Sequence, residues 1–259
     1  MLLHLESYGQ GEPVLILHGL FGSCDNWQTV SRHLSDSYRV VAADLRNHGR
    51  SPHSDVMDLQ VMTKDILEVL QAEGLSQTHL IGHSLGGKTA MQFALEHPDR
   101  LLKLIVVDIA PHAYEPRHND LFSALRRLDL AMFSDRRPLE QALEPAIPDL
   151  ATRRLLLKNL ARDPAGKFFW RIGLNELWEN YPNLNVAVTG SSPFTGSALF
   201  IRGEHSDYLS EEDFPGIRVL FPHAEFTTIP GAGHLPHTEN AADFLRVVRS
   251  FLENSERGL

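Results

Sequence analysis

The sequence predicts an α/β protein, a mostly parallel, doubly wound sheet that carries a helical insertion. Three observations predict it. Short apolar runs recur along the chain, each followed by a turn signal. Stretches with apolar residues at helical spacing separate them. This alternation stops between His112 and Gly196 and then resumes. Continuous rather than alternating apolar runs suit strands buried on both faces of a parallel sheet, and strands that alternate with helices indicate a doubly wound architecture.

In chain order the strands are VLILH at 14–18, RVVAAD at 39–44, THLIG at 78–82, KLIVVD at 103–108 and ALFIRG at 198–203, with a strand-like FTTI before the loop PGAGHLPH. Leu59, Met62, Ile66, Val69 and Leu70 fall at helical spacing and end at Gly74; Ser84 to His97 reads as a second helix, stopped by Pro98. Within the insertion the pattern gives helices at Leu121 to Leu130, Leu139 to Leu143 and Leu150 to Leu160. An aromatic patch follows, FFWRIGLNELWENYP, and no parallel-strand unit. A last helix runs from about Asn240 to Leu252. The implied division is a core of 1–111 and 197–259 with a helical cap, 112–196, over one end of the sheet.

A chain of 259 residues that is 42% hydrophobic is long enough to bury a large core. No apolar run approaches the roughly 18 to 20 residues that cross a bilayer, so no membrane association is expected. The start, MLLHLESYGQGE, has neither a basic segment nor a small-residue cleavage site. Cys24 is the single cysteine, which excludes an internal disulfide and suits a reducing compartment, so the expected location is the cytoplasm. The net charge of −9 argues against nucleic acid as a partner. That charge is uneven, because His112 to Gly196 holds 11 Lys and Arg against 10 Asp and Glu. Arginine-bearing helix surface explains this imbalance, and so does a segment that tolerates an anionic substrate.

The stretch LIGHSLGGKT, Leu80 to Thr89, satisfies two motifs at once. As G-x-S-x-G it presents Ser84 as a nucleophile on a sharp strand-to-helix turn; as G-x-x-x-x-G-K-T it is a phosphate-cradling loop with Lys88 and Thr89. Both need a buried strand turning into a helix, so the strand at 78–82 does not separate them. KLIVVD even ends on an acid, Asp108, where a P-loop enzyme holds Mg²⁺. The flanks decide. HGLFGS, His18 to Ser23, follows a strand and offers a backbone N–H, that of Phe21, to pair with the N–H of Leu85 around a developing oxyanion. GAGH places His234 on a loop after a late strand, where it serves as a base for Ser84. A P-loop leaves both features idle. The alternatives kept open are a Mg²⁺-dependent P-loop NTPase and a non-catalytic binding protein on the same scaffold.

HGLFGSCDNW, DLRNHGRSP, GHSLGGK, VVDIAPHAY and GAGH together resemble the α/β-hydrolase superfamily, and within it the YbfF-like esterases, over essentially the full chain. The resemblance implies a serine-dependent hydrolase of a small-molecule acyl ester or thioester, acyl-CoA thioesters included, with a helical cap and no cofactor. It also bears on the acid that orients His234. Most of the superfamily places this acid after the strand that here reads ALFIRG, as G-x-x-D; here the third residue after Gly203 is Ser206, and Asp207 comes one later. Asp108 ends a strand at the same sheet edge as Ser84, and the YbfF-like group matches it residue for residue in VDIAP. Asp108 is therefore the expected acid and Asp207 the alternative.

Asp44 in DLRNHGRS reads as a structural turn residue, and Lys88, once the P-loop is set aside, as a helix-surface or ion-pairing residue. His18 and His83 lie beside the proposed site, where they touch substrate or shape the glycine turns. Among the insertion's aromatics, Phe168, Phe169, Trp170, Trp178 and Tyr181, some form cap core and some line the acyl site; Phe168, Trp170 and Trp178 are the expected substrate contacts. Fourteen histidines suggest a metal, yet none falls into an H-E-x-x-H pattern and Cys24 stands alone, so none is expected.

Overall fold

The apolar runs become the strands of one seven-stranded sheet in the computed structural model, which describes residues 1–254. In chain order the first elements are β1 (Leu5–Tyr8), β2 (Glu12–Leu17), α1 (Gln28–Leu34), β3 (Tyr38–Ala43), α2 (Leu59–Ala72), β4 (Thr78–His83), α3 (Leu85–Glu96) and β5 (Leu101–Val107). The insertion holds α4 (Asn119–Arg127), α5 (Arg136–Leu143), α6 (Leu150–Leu157), β6 (Leu160–Arg162), β7 (Phe168–Trp170) and α7 (Leu174–Leu184). The chain then returns as β8 (Ala198–Gly203), α8 (Phe214–Leu220), β9 (Ala224–Ile229), α9 (Pro236–Glu239) and α10 (Ala241–Glu253). The strand order is β1-β3-β2-β4-β5-β8-β9, and only β1 runs antiparallel to its neighbour.

Burial on both faces explains why these strands read as continuous apolar runs. Leu15, Leu17, Leu80, Leu104 and Val106 point to the face covered by α2 and α3. Their neighbours Val14, Ile16, Ile81, Ile105 and Val107 point to the opposite face, against Trp27, Leu34, Phe244 and Val248 of the α1 and α10 side. Each such fully buried side chain contributes about 1.5–3 kcal/mol. The signals at the ends of α2 act as expected. Asp58 Oδ1 accepts from the Val61 N–H at 2.7 Å, which satisfies one of the orphan first-turn donors. Gly74 leaves the helix end with φ +66°, a conformation glycine adopts at no steric cost.

The insertion does not build a core of its own. Phe122, Leu125, Leu139, Leu156 and Leu177 join the same apolar cluster as α2, α3 and one face of the sheet. It also contains strand, where the sequence pattern shows helix up to Leu160 and then an aromatic patch with no parallel-strand unit. Leu160–Arg162 pairs antiparallel with Phe168–Trp170, so the helical pattern that runs to Leu160 ends at Leu157. Residues 163–167 close this ribbon through Asp163 and Lys167, whose amides bond to each other's oxygens at 2.9 and 2.8 Å. No helix among the described residues is long and apolar enough to cross a membrane.

Candidate active site

The turn from β4 into α3 places Ser84 at a backbone conformation of φ 51°, ψ −115°. That region is costly for a residue with a side chain, so it persists only where the surroundings impose it. Here they do. The Ser84 N–H donates to Val107 O at 3.0 Å, and Ser84 O accepts from the Lys88 N–H at 2.9 Å. The flanking glycines are required by contact: a Cβ on Gly82 would lie 2.2 Å from Gly86 O, and one on Gly86 would lie 2.5 Å from Leu17 O. Such a turn exposes the hydroxyl at the sheet edge while its backbone stays buried.

Asp108, which follows β5, also sits at positive φ (54°) and is fully buried. Its carboxylate meets three donors. Gly203 N–H donates to Oδ1 at 2.9 Å, the Ser206 hydroxyl donates to Oδ2, and His234 Nδ1–H donates to Oδ2 at 2.7 Å. Charge-assisted bonds of this kind compensate a buried carboxylate for its lost water. His83, next to Ser84 in the chain, donates from Nε2 to His234 O at 2.7 Å. One turn thus supplies Ser84 and anchors the loop that carries His234, whose Nε2 is the ring nitrogen left for other work. Asp207, the alternative acid, is elsewhere: its carboxylate is 78% exposed and pairs with Arg117 at 2.9 Å. The one-residue slip after Gly203 puts Ser206, not Asp207, against the site, and Ser206 serves Asp108.

The donors around an oxyanion differ from expectation at one position. Leu85 begins α3, so its N–H belongs to the first turn that a helix leaves unsatisfied. Phe21, however, adopts φ 61°, and its N–H donates to His48 Nε2 at 3.2 Å. Its side chain is buried against Phe122, with ring centroids 4.9 Å apart. An amide points one way only. The preceding residue, Leu20, borders the pocket that also holds Ser84 and Leu85.

His18, expected to touch substrate or to shape the glycine turns, is not among the residues that line the Ser84 pocket. It is buried; Nε2 accepts from the Leu45 N–H at 3.0 Å, so the proton sits on Nδ1, which donates to Gly19 O at 2.8 Å. Asp44 takes the structural part expected of it, accepting from the Cys24 and Arg50 amides at 2.7 and 2.8 Å.

The insertion's contribution to the Ser84 pocket includes Tyr114, Arg117, His118 and Tyr181, with Glu115, Leu184 and Asn185 beside them. The expected contacts lie elsewhere. Phe168 packs under the Arg162 guanidinium, 4.0 Å from its ring centroid. Trp170 borders a separate open groove with His53 and Arg126. Trp178 packs on Phe122 at 5.5 Å, one helical turn before Tyr181, which does face the pocket. Tyr208, which follows β8, completes the wall and stacks on His234.

Lys88 corrects a further expectation. It is buried, so it is neither at the helix surface nor, among the described residues, in an ion pair; Nζ donates to His112 O at 3.0 Å, to Asn185 O at 3.3 Å and to Val186 O. All three donors are spent on the two ends of the insertion, so none remains for a phosphate, and Thr89 donates to Leu85 O within the helix. Burial pushes the Lys88 ammonium down to about 8. Three possible metal ligands converge among the described residues, His4, Glu6 and Cys24. Arg50 already donates to His4 Nε2 at 2.9 Å and to Glu6 Oε1 at 2.7 Å, and a guanidinium there opposes a second cation.

Five histidines pack around the site and are held neutral by burial: His18 and His83 are pushed below their ordinary value, His118 to about 4, and His48 and His237 to about 3. The unfolded chain binds protons at these positions below about pH 6.5, whereas the folded chain resists them. Stability is therefore complete above that value and falls as the pH drops towards 4. Each locked histidine contributes a slope of up to about 1.4 kcal/mol per pH unit. Urea unfolding at pH 7.5, 6 and 5 is expected to show midpoints that decline steeply below 6.5; a flat series would contradict this account.

Comparison with known proteins agrees with the geometry. Residues 12–241 match the sequence model of the family described as alpha/beta hydrolase fold. ABHD11 of Xenopus tropicalis, an sn-1-specific diacylglycerol lipase, is 36% identical over 253 residues, 95% of this chain and 79% of the relative. Esterase YbfF of Escherichia coli (strain K12) is 32% identical over 250 residues, 96% of each chain. The solved structure of a marine microorganism esterase superposes with a TM-score of 0.94 at 40% identity, covering 96% of this chain and 99% of that one.

Proposed function

The chain belongs to the α/β-hydrolase family, and from that premise we propose that it is a serine hydrolase of acyl esters and thioesters, acyl-CoA thioesters among them, acting through Ser84, His234 and Asp108. The observation that carries this reading is the 2.7 Å bond from His234 Nδ1 to Asp108, beside the strained turn that presents Ser84. Residues 112–196 act as a cap over the site, and 1–111 with 197–259 as the core. The single, buried cysteine fits a cytoplasmic protein.

With Nδ1 engaged by Asp108, Nε2 of His234 takes the Ser84 proton as Oγ bonds to the substrate carbonyl carbon. The carbonyl π electrons move to oxygen, and the oxyanion accepts from the N–H groups of Leu85 and Leu20. The Phe21 amide takes no part, because it is committed to His48. The tetrahedral intermediate collapses and the bond to the leaving alcohol or thiol breaks as His234 returns the proton to it. Water, giving a proton to His234 Nε2, then attacks the acyl carbon, and the bond from that carbon to Ser84 Oγ breaks as His234 returns the proton to Oγ and the acid is released. Asp108 stays ionised and stabilises the imidazolium in both half-reactions.

A fluorophosphonate probe together with a panel of nitrophenyl esters and an acyl-CoA thioester tests this. Stoichiometric labelling of Ser84 and turnover of at least one class are expected. Absence of both labelling and turnover would sink the assignment and leave the non-catalytic alternative.

A further inference from the structure

We infer that Tyr208 is a positioning residue for His234: its ring fixes the plane of the imidazole, which Asp108 holds by a single bond. The inference rests on the proposed roles of Ser84, His234 and Asp108. One hydrogen bond through Nδ1 sets an axis but lets the ring rock about it, and Nε2 swings with the ring. His234 is 28% exposed and sits on a loop, so the fold restrains it less than it restrains Asp108. Proton transfer needs Nε2 held in line with Ser84 Oγ, and an error of about 1 Å costs on the order of 10²-fold in rate. The Tyr208 ring lies against the imidazole with centroids 3.8 Å apart and planes 22° from parallel. That face contact removes the rocking motion that the Asp108 bond permits.

Tyr208 is itself held from several directions. Its N–H donates to Ser206 Oγ at 3.2 Å, and its carbonyl accepts from the Tyr114 hydroxyl. The Arg117 guanidinium lies 4.8 Å from the ring centroid, and Asp207 fixes Arg117 in turn at 2.9 Å. At the hydroxyl end the protons can be assigned. Tyr181 Oη accepts from the Arg117 and His118 amides, both at 3.1 Å, and so gives its own proton to His118 Nδ1 at 2.7 Å. His118 Nε2–H is left to face Tyr208 Oη at 3.4 Å. This last contact is the longest of the set, so the ring rather than the hydroxyl carries the effect.

The contacts close into a circuit. Tyr208 donates to Ser206, Ser206 and His234 both donate to Asp108, and the Tyr208 ring covers His234. The loop after β8, which supplies the acid in a G-x-x-D pattern, here supplies two supports instead. Ser206 holds the acid and Tyr208 holds the base, while Asp207 steadies Arg117 over Tyr208.

The experiment compares kcat and KM of Tyr208→Phe, Tyr208→Leu and Arg117→Gln on nitrophenyl acetate and butyrate, alongside the rate of Ser84 phosphonylation. Tyr208→Phe keeps the stack and is expected within about threefold of wild type, which separates stacking from hydroxyl chemistry. Tyr208→Leu is expected to lower kcat by about 10- to 100-fold, equally for both esters, because the base serves every substrate alike. Arg117→Gln, at a partly exposed position, is expected to lower kcat by about two- to fivefold, equally for both esters. A Tyr208→Leu enzyme with wild-type kcat, or with a loss confined to KM that differs between acetate and butyrate, overturns the inference. Should Tyr208→Leu show no cooperative melting transition, Arg117→Gln decides, and wild-type kcat there overturns it. Wild-type protein that fails to label at Ser84 overturns the triad itself. Labelling that is equally fast in wild type and Tyr208→Leu overturns only the role of Tyr208.

Discussion

Ser84→Ala is expected to lower kcat on nitrophenyl esters by about 10⁶ while leaving the fold intact. The loss is total for chemistry because no other group can form the acyl-enzyme; the oxyanion donors and His234 have nothing to act upon. The fold survives because the Ser84 side chain makes no cap bond to α3, and the strained backbone is imposed by Val107 O, Lys88 N–H and the flanking glycines rather than by the hydroxyl. Three measurements check this. The steady-state rate should fall to background, the fluorophosphonate mass shift should vanish, and the thermal midpoint should stay within a few degrees of wild type. Retention of more than about a hundredth of wild-type kcat would mean that a different nucleophile carries the reaction.

What the sequence reveals and what it hides follow from how each feature arises. The strands β2 to β5 and β8 are legible because double burial forces apolar runs, and α2 and α3 because Gly74 and Pro98 mark their ends; β9, an edge strand with the burial of a half-exposed segment, shows only in its β-branched FTTI. The edge strand LESY is only partly buried and has neither an apolar run nor an alternation, so its composition matches a loop as well as a strand. QTVSRHL of α1 and FPGIRVL of α8 are only seven residues each, too short for a helical period to show. In the site, Ser84 and Asp108 are legible because each directly follows a buried strand at one sheet edge, and His234 because the GAGH loop follows the last strand, β9. The engagement of the Phe21 amide with His48 is not legible, because the positive φ at Phe21 is a backbone property that no motif prints. Trp178 and Tyr181 share α7 and differ by one turn, so aromatic content named the helix but not the residue that faces the pocket. Lys88 reads in the sequence as a helix-surface or ion-pairing residue because its three acceptors come from residues 112, 185 and 186, which meet only when the insertion folds back on α3.

Asp108→Asn is expected to lower kcat by on the order of 10³ to 10⁴, with the protein folded, whereas Asp207→Asn changes it by less than about threefold. The reason is the arrangement of donors around Asp108. An asparagine must present an NH₂ group where one of the two carboxylate oxygens stood. At the Oδ1 position that group would face the Gly203 N–H, a fixed backbone donor with no way to adapt. At the Oδ2 position it meets the Ser206 hydroxyl, which can rotate to accept, and His234 Nδ1, which can shed its proton. The second placement is therefore favoured. It leaves His234 protonated on Nε2, so the nitrogen that should receive the Ser84 proton has no free lone pair. Steady-state kinetics on one nitrophenyl ester for both variants, with melting curves to show that each folds, is the measurement. Asp207 faces solvent and, among the described residues, pairs with Arg117, so its amide variant loses one exposed ion pair, worth about 0–1 kcal/mol. A large loss in Asp207→Asn with little in Asp108→Asn would transfer the role of acid to the loop after β8.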